Sequence, residues 1–259
     1  MNTRNQDAVR AVVAALEAQG DAAQRQVLTG FFKTGKGEYG EGDRFLGVRV
    51  PQTRQVAKHF RKVDLAVVDS LLQSAYHEVR LCGLLILVEQ FTDALKAYRR
   101  RRAGLEPLES LLVFYLGHAD RCNNWDLVDL TAPKVLGEWL MIDAVAAGRK
   151  RAELDRLAGS SCLWEQRIAM VCTMTPLRYG SPEYTLTYAE RLVHHPHDLM
   201  HKAVGWMLRE MGKRVDMALL RAFLERHAAT MPRTALRYAI ELMSADERKH
   251  WMDLKPQRP

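Results

Sequence analysis

Three basic residues stand at equal intervals in the C-terminal half of the chain: Arg167, Lys202 and Arg237, each 35 residues from the next. Each opens a phrase of small and apolar residues: Arg167-Ile168-Ala169-Met170, Lys202-Ala203-Val204-Gly205 and Arg237-Tyr238-Ala239-Ile240. Arg80-Leu81-Cys82-Gly83 is a phrase of the same kind upstream. A recurrence of this length fits one pair of helices, and a pair cannot bury its apolar face alone, so successive pairs stack into an array. The spacing therefore predicts an all-α solenoid of helical repeats with a concave basic face formed by the recurring cations. Solvated ends of unrelated helices are the plainer alternative.

The rest of the sequence agrees with helices. Asp7–Gln19, Gln52–Arg61, Asp64–Leu72, Glu78–Phe91, Pro182–Val193 and Asp216–His227 space their apolar residues three and four apart. Ser181-Pro182-Glu183 reads as an N-cap with a first-turn proline and acid, and Ser244-Ala245-Asp246-Glu247 as a capping box. Phe45–Val50 is the one short extended candidate. Six glycines crowd between Gly30 and Gly47, which makes Lys33–Asp43 a loop; with no preceding strand and no Gly-Lys-Ser/Thr ending it is a poor phosphate loop. No linker or low-complexity stretch interrupts the chain, so one domain over residues 1–259 is expected, of the HEAT-like or ARM-type kind.

Composition removes several classes. With 47% hydrophobic and 27% charged residues over 259 positions, the chain has the make-up of a globular protein rather than a disordered one. The longest apolar run, Leu81–Val88, is far too short to span a bilayer, and the N-terminus carries no apolar leader. A cytoplasmic address and no membrane association are the expectation. The net charge of +7 suits a polyanionic partner without requiring one. Cys82, Cys122, Cys162 and Cys172 form no Cys-x-x-Cys pair, and read as free thiols in a reducing compartment.

The most informative stretch is Arg121-Cys122-Asn123-Asn124-Trp125-Asp126-Leu127-Val128-Asp129, which continues through Leu130-Thr131-Ala132-Pro133. A helix capped by Asn124 gathers Leu127, Val128, Ala132, Val135, Leu136 and Trp139 on one apolar arc. Trp125 and Asp129, four apart, fall together on the shoulder of that arc, whereas Asp126 and Lys134 project away from it. An indole and a partly desolvated carboxylate at one border form a place where a cation is stabilised. A bridging Asp129 and a packing Trp125 are the structural alternative.

At this point the sequence resembles the AlkD-like DNA alkylation repair glycosylases, which are built from HEAT-like repeats. The resemblance runs from Phe31 to about Ala239 in four ordered blocks. Phe45-Leu46-Gly47-Val48 with Pro51 is similar to the family's early signature. Trp125-Asp126-Leu127-Val128-Asp129, with Ala132-Pro133 and Leu136-Gly137, resembles its catalytic helix. Trp164-Glu165-Gln166-Arg167 resembles the stretch supplying its active-site arginine, and Lys202–Glu210 the stretch with its second active-site tryptophan, Trp206. The resemblance implies Asp129 as the catalytic carboxylate, Trp125 and Trp206 as cleft walls, and Arg167 at the DNA backbone near the lesion. Lys202, Arg237 and Arg209 are the expected DNA-binding cations. The glycine-rich segment before Phe45 is longer than in the best-known members.

What the resemblance implies is a monofunctional glycosylase that hydrolyses the N-glycosidic bond of cationic alkylated purines, the N3-methyladenine and N7-methylguanine class. It would act on double-stranded DNA and leave an abasic site, as a monomer without cofactor or metal. Alkylation makes the purine a good leaving group, so a catalyst has chiefly to stabilise positive charge on the sugar, which a carboxylate and indole faces can do. Glycosylases generally turn the base out of the duplex, whereas the resembled family does not need to. The alternative is a non-catalytic HEAT-like scaffold that binds DNA or protein. His194, His195, His197 and His201 form a local cluster, but Pro196 splits it and Asp198 adjoins His197, so a metal site is not expected. Arg99–Arg102 and Arg149-Lys150-Arg151 read equally as phosphate contacts or as solvated surface.

Overall fold

A computed structural model describes residues 2–254. The chain divides into two compact units, Met1–Thr131 and Ala132–Pro259. Both are helical, and among the described residues the sole β pairing is an isolated bridge between Arg44 and Tyr76.

The first unit holds α1 (Thr3–Glu17), α2 (Ala22–Phe31), α3 (Val50–His59), α4 (Leu65–Leu72), α5 (His77–Arg99), α6 (Glu106–Gly117) and α7 (Trp125–Thr131). Its axis is α5, against which α3, α4, α6 and α7 all pack. The run Leu81–Val88, the longest apolar stretch in the sequence, is buried along its whole length. A helix apolar on every side is a core helix, and among the described residues no helix is long and apolar enough to cross a membrane. Burying one such Leu or Ile side chain contributes roughly 1.5–3 kcal/mol. The periodicity of Glu78–Phe91 stops short of the observed end at Arg99, where Arg101 takes a left-handed φ of 54° and closes the last turn. Arg99–Arg102 thus ends up exposed at a helix C-terminus, where cations favour the helix dipole.

Phe45–Val50 is not a strand. Its backbone wraps a buried carboxylate: Glu78 accepts hydrogen bonds from the N–H groups of Leu46 (3.0 Å), Gly47 (2.9 Å) and Val48 (3.2 Å). Gly47 supplies the φ of +87° that this wrap requires. A short apolar run clasping a distant carboxylate has no local pattern to announce it, and that is why it reads as an extended candidate.

The second unit holds a π-turn over Pro133–Gly137, then α8 (Glu138–Leu140), α9 (Ala147–Ala158), α10 (Leu163–Val171), α11 (Met174–Arg178), α12 (Glu183–Leu192), α13 (Asp198–Arg214), α14 (Met217–His227), α15 (Arg233–Ala239) and α16 (Ala245–Asp253). The π-turn carries an Ala132 C=O to Gly137 N–H bond of 2.9 Å, while the Pro133 carbonyl accepts from Thr175 Oγ1 at 2.6 Å. Pairs stack as the 35-residue spacing predicts: α9 on α10, α12 on α13, α14 on α13, with α10 against α13 and α13 against α15. The α13–α15 crossing depends on Gly205, since a Cβ there would run into the Ala235 carbonyl and the Tyr238 side chain. The Ser244 cap is present, its hydroxyl accepting the Glu247 N–H at 3.2 Å, whereas α12 begins with Pro182 as its cap and no side-chain bond from Ser181.

Candidate active site

The motif helix α7 opens where its cap requires. Asn124 is buried, and its side-chain oxygen accepts the Trp125 N–H at 2.8 Å. Trp125, the next residue, and Asp129, one turn further on, both stand half-buried in the wall of a single cavity of about 410 Å³ in the first unit. Phe31, Phe32, Leu81 and Leu130 make that wall largely apolar. Phe32 lies 5.5 Å from the Trp125 ring, and Phe31, itself 60% exposed, meets it edge-on at 5.9 Å. The shoulder that helical projection assigns to Trp125 and Asp129 is therefore a cavity edge, and a carboxylate in such a wall is poorly screened by water.

Asp126 departs from its expected position. Rather than projecting to solvent it is buried, because α7 packs against α5 and the first turn of α5 presents a cation there. His77 Nε2 bonds Asp126 Oδ2 at 2.9 Å, His77 Nδ1 bonds Asp43 Oδ2 at 3.2 Å, and Arg80 Nη2 donates to Asp43 Oδ1 at 2.5 Å. Burial pushes the His77 ring toward neutrality, but the charge and hydrogen bond of Asp126, joined by Asp43, outweigh it and raise its pKa to about 9. Burial likewise opposes ionisation of Asp43, and the His77 hydrogen bond with the Arg80 charge reverses that, lowering its pKa. Two carboxylates and two cations thus balance beneath the cavity floor, and both His77 and Asp126 also line the cavity. Asp126 Oδ1 is buried without a hydrogen-bond partner.

No local pattern marks this network. His77 and Arg80 share one helical turn, which is the sole sequence trace of it, while Asp43 and Asp126 come from a loop and a different helix.

The remaining candidate residues lie in the second unit. Arg167, Lys202 and Arg237 occupy α10, α13 and α15, of which α13 packs against the other two, but their surroundings differ. Arg167 is 4% exposed and donates to the Leu199 carbonyl at 2.5 Å, because the start of α13 lies over it. Lys202 is half-buried with Nζ 2.8 Å from Asp198 Oδ2, and Arg237 is exposed. Trp206 is half-buried on α13. Arg209 is ion-paired with Glu241 and Glu210.

The histidine cluster serves the turn before α13. His195 Nε2 bonds Gln166 Oε1 at 2.8 Å, His197 Nδ1 caps the Leu199 N–H at 3.1 Å, and His201 Nε2 donates to the His195 carbonyl at 2.5 Å. Burial, with the neighbouring His201, Arg167 and Lys202 charges acting against Asp198, lowers the pKa of His197. Among the described residues no group of three His, Cys, Asp or Glu side chains is placed to hold a metal ion. Cys82, Cys122 and Cys172 are buried, and burial raises the Cys82 thiol to about 12.

Trp125 and Asp129 thus share one largely apolar cavity in a chain that is helical throughout its two units. The family model for the DNA alkylation repair enzyme matches residues 12–243. The chain belongs to the DNA alkylation repair enzyme family. Its fold is similar to a solved structure described as a predicted DNA alkylation repair enzyme from Enterococcus faecalis, with a TM-score of 0.65 and 14% identity. That match covers 88% of this chain and 98% of the other. A comparison with curated proteins gives no significant match.

Proposed function

We propose that the protein is a monofunctional DNA glycosylase that releases cationic alkylated purines, of the N3-methyladenine and N7-methylguanine class, from double-stranded DNA. The observation that carries the reading is the joint placement of Asp129 and Trp125 in one largely apolar cavity, in a chain of the alkylation repair family.

In the proposed reaction the glycosidic C1′–N bond breaks with its electron pair leaving on the purine. That pair neutralises the formal positive charge that alkylation created, so no proton need be supplied to the leaving group. Positive charge develops on the sugar, where the Asp129 carboxylate and the Trp125 face stabilise it by Coulomb and cation–π attraction. Water then adds its oxygen to C1′ and loses a proton, with Asp129 orienting it, and an abasic site remains. Arg167 and Trp206 are proposed to serve the same reaction by resemblance. Lys202, Arg237 and Arg209 are proposed as DNA contacts, and the acting form as a cytoplasmic monomer in one continuous domain. No cofactor enters this scheme.

The test is incubation of N-methylated duplex DNA with the protein, followed by chromatography of the low-molecular-weight fraction. Free N3-methyladenine or N7-methylguanine is the expected product. DNA binding with no released base is the result that a non-catalytic scaffold gives, and it would reject the reading.

A further inference from the structure

The glycine-rich segment between Lys33 and Asp43 folds back onto the candidate site. Gly40 makes this possible, because its backbone passes so close to the Phe32 and Lys33 carbonyls that a side chain has no room. The segment is held in turns by its own acids, Glu38 accepting the Gly35 N–H at 2.8 Å and Glu41 the Gly37 N–H at 2.7 Å. At its far end Asp43 is pinned by His77 and Arg80. Between these anchors Tyr39, half-buried, offers its hydroxyl oxygen to Trp125, whose indole Nε1–H donates to it at 3.2 Å.

Trp125 is thereby restrained by three side chains. Phe32 and Phe31 flank its ring, and Tyr39 fixes its N–H edge, which sets the ring's rotation within the cavity wall. Cation–π attraction depends on the ring turning a face rather than its edge to the charge, and a group that stabilises a transition state works best when it is already oriented. We infer that Tyr39 is a positioning residue, which holds the Trp125 indole in the orientation used at the cavity. This inference rests on the proposed glycosylase reading for its catalytic consequence, and on the hydrogen bond alone for the contact.

The experiment separates the two. The full-length protein is labelled with 5-fluorotryptophan, the Trp125 resonance is assigned by its loss in Trp125→Phe, and Tyr39→Phe is then compared with wild type. Removing the hydroxyl is expected to shift or broaden the Trp125 resonance and leave the other four in place. In single-turnover assays on N7-methylguanine DNA, the same variant is expected to lose roughly three- to tenfold in excision rate, the worth of one ordinary hydrogen bond. Affinity for undamaged DNA should stay within about twofold, the margin of a neutral surface change. An unmoved Trp125 resonance overturns the contact, whatever the activity. A moved resonance with an unchanged excision rate overturns the positioning role. If wild type excises nothing, the proposed function fails and the catalytic role of Tyr39 with it, while the resonance still decides the contact.

Discussion

The Nε2 atom of His77 lies 2.9 Å from Asp126 Oδ2, both side chains almost wholly buried, and this pairing keeps a charged imidazole inside the first unit. An ionised histidine in a core is stable only while its carboxylates are ionised too. Asp43 completes the requirement on the other ring nitrogen.

The pH dependence of stability follows from that pairing. His77 has an ordinary value of 6.5 and a folded value of about 9, so its contribution is fully present below pH 6.5 and fades as pH rises through 9. Asp43, whose folded value is lowered, acts in the opposite direction: its contribution is present above its ordinary value of 3.8 and is lost as pH falls through the lowered one. Urea unfolding of wild type should therefore weaken by about 2–3 kcal/mol between pH 6.5 and 9.5. His77→Gln should be less stable at pH 6.5 and much flatter over the same range. Parallel curves for the two proteins would contradict the assignment.

The crossing of α13 and α15 makes a second demand. Gly205→Ala must push the helices apart or displace Tyr238, and should cost about 1–3 kcal/mol, the usual penalty for overpacking. Denaturant midpoints measure it. A variant as stable as wild type would mean that the crossing is looser than the described geometry.

Much of the helical layout is legible in the sequence because it depends on local rules. Asn124 caps α7, Ser244 caps α16, and the 35-residue recurrence of Arg167, Lys202 and Arg237 marks three stacked helices. The shoulder shared by Trp125 and Asp129 is also local, since it follows from helical projection. What escapes is everything joining distant segments. Asp126 projects from the apolar arc on an isolated helix, and only the arrival of His77 from α5 makes burial there favourable. Phe45–Val50 reads as a short extended run, but three of its amides go to Glu78. Arg167 shares its spacing with Lys202 and Arg237, yet α13 covers it and not Arg237.

That difference among the three cations predicts different behaviour on DNA. Lys202→Ala should weaken binding to any sequence and lower the slope of log K against log salt by about one unit, as loss of one phosphate contact does. Arg167→Ala should reduce protein stability in addition to the excision rate, because the buried guanidinium also satisfies the Leu199 carbonyl. Salt titrations by fluorescence anisotropy, with melting curves alongside, distinguish the two. An unchanged slope for Lys202→Ala would remove it from the DNA interface.

The most direct test of the proposed chemistry is the single-turnover release of N7-methylguanine by Asp129→Asn, a change that keeps the shape of the side chain and removes its charge. The account predicts a loss of roughly 10²–10³ in rate, as for one preorganised electrostatic group, with binding to undamaged DNA unchanged or tighter. Excision at the wild-type rate by Asp129→Asn would contradict the assignment of this carboxylate as the group that stabilises the developing cation.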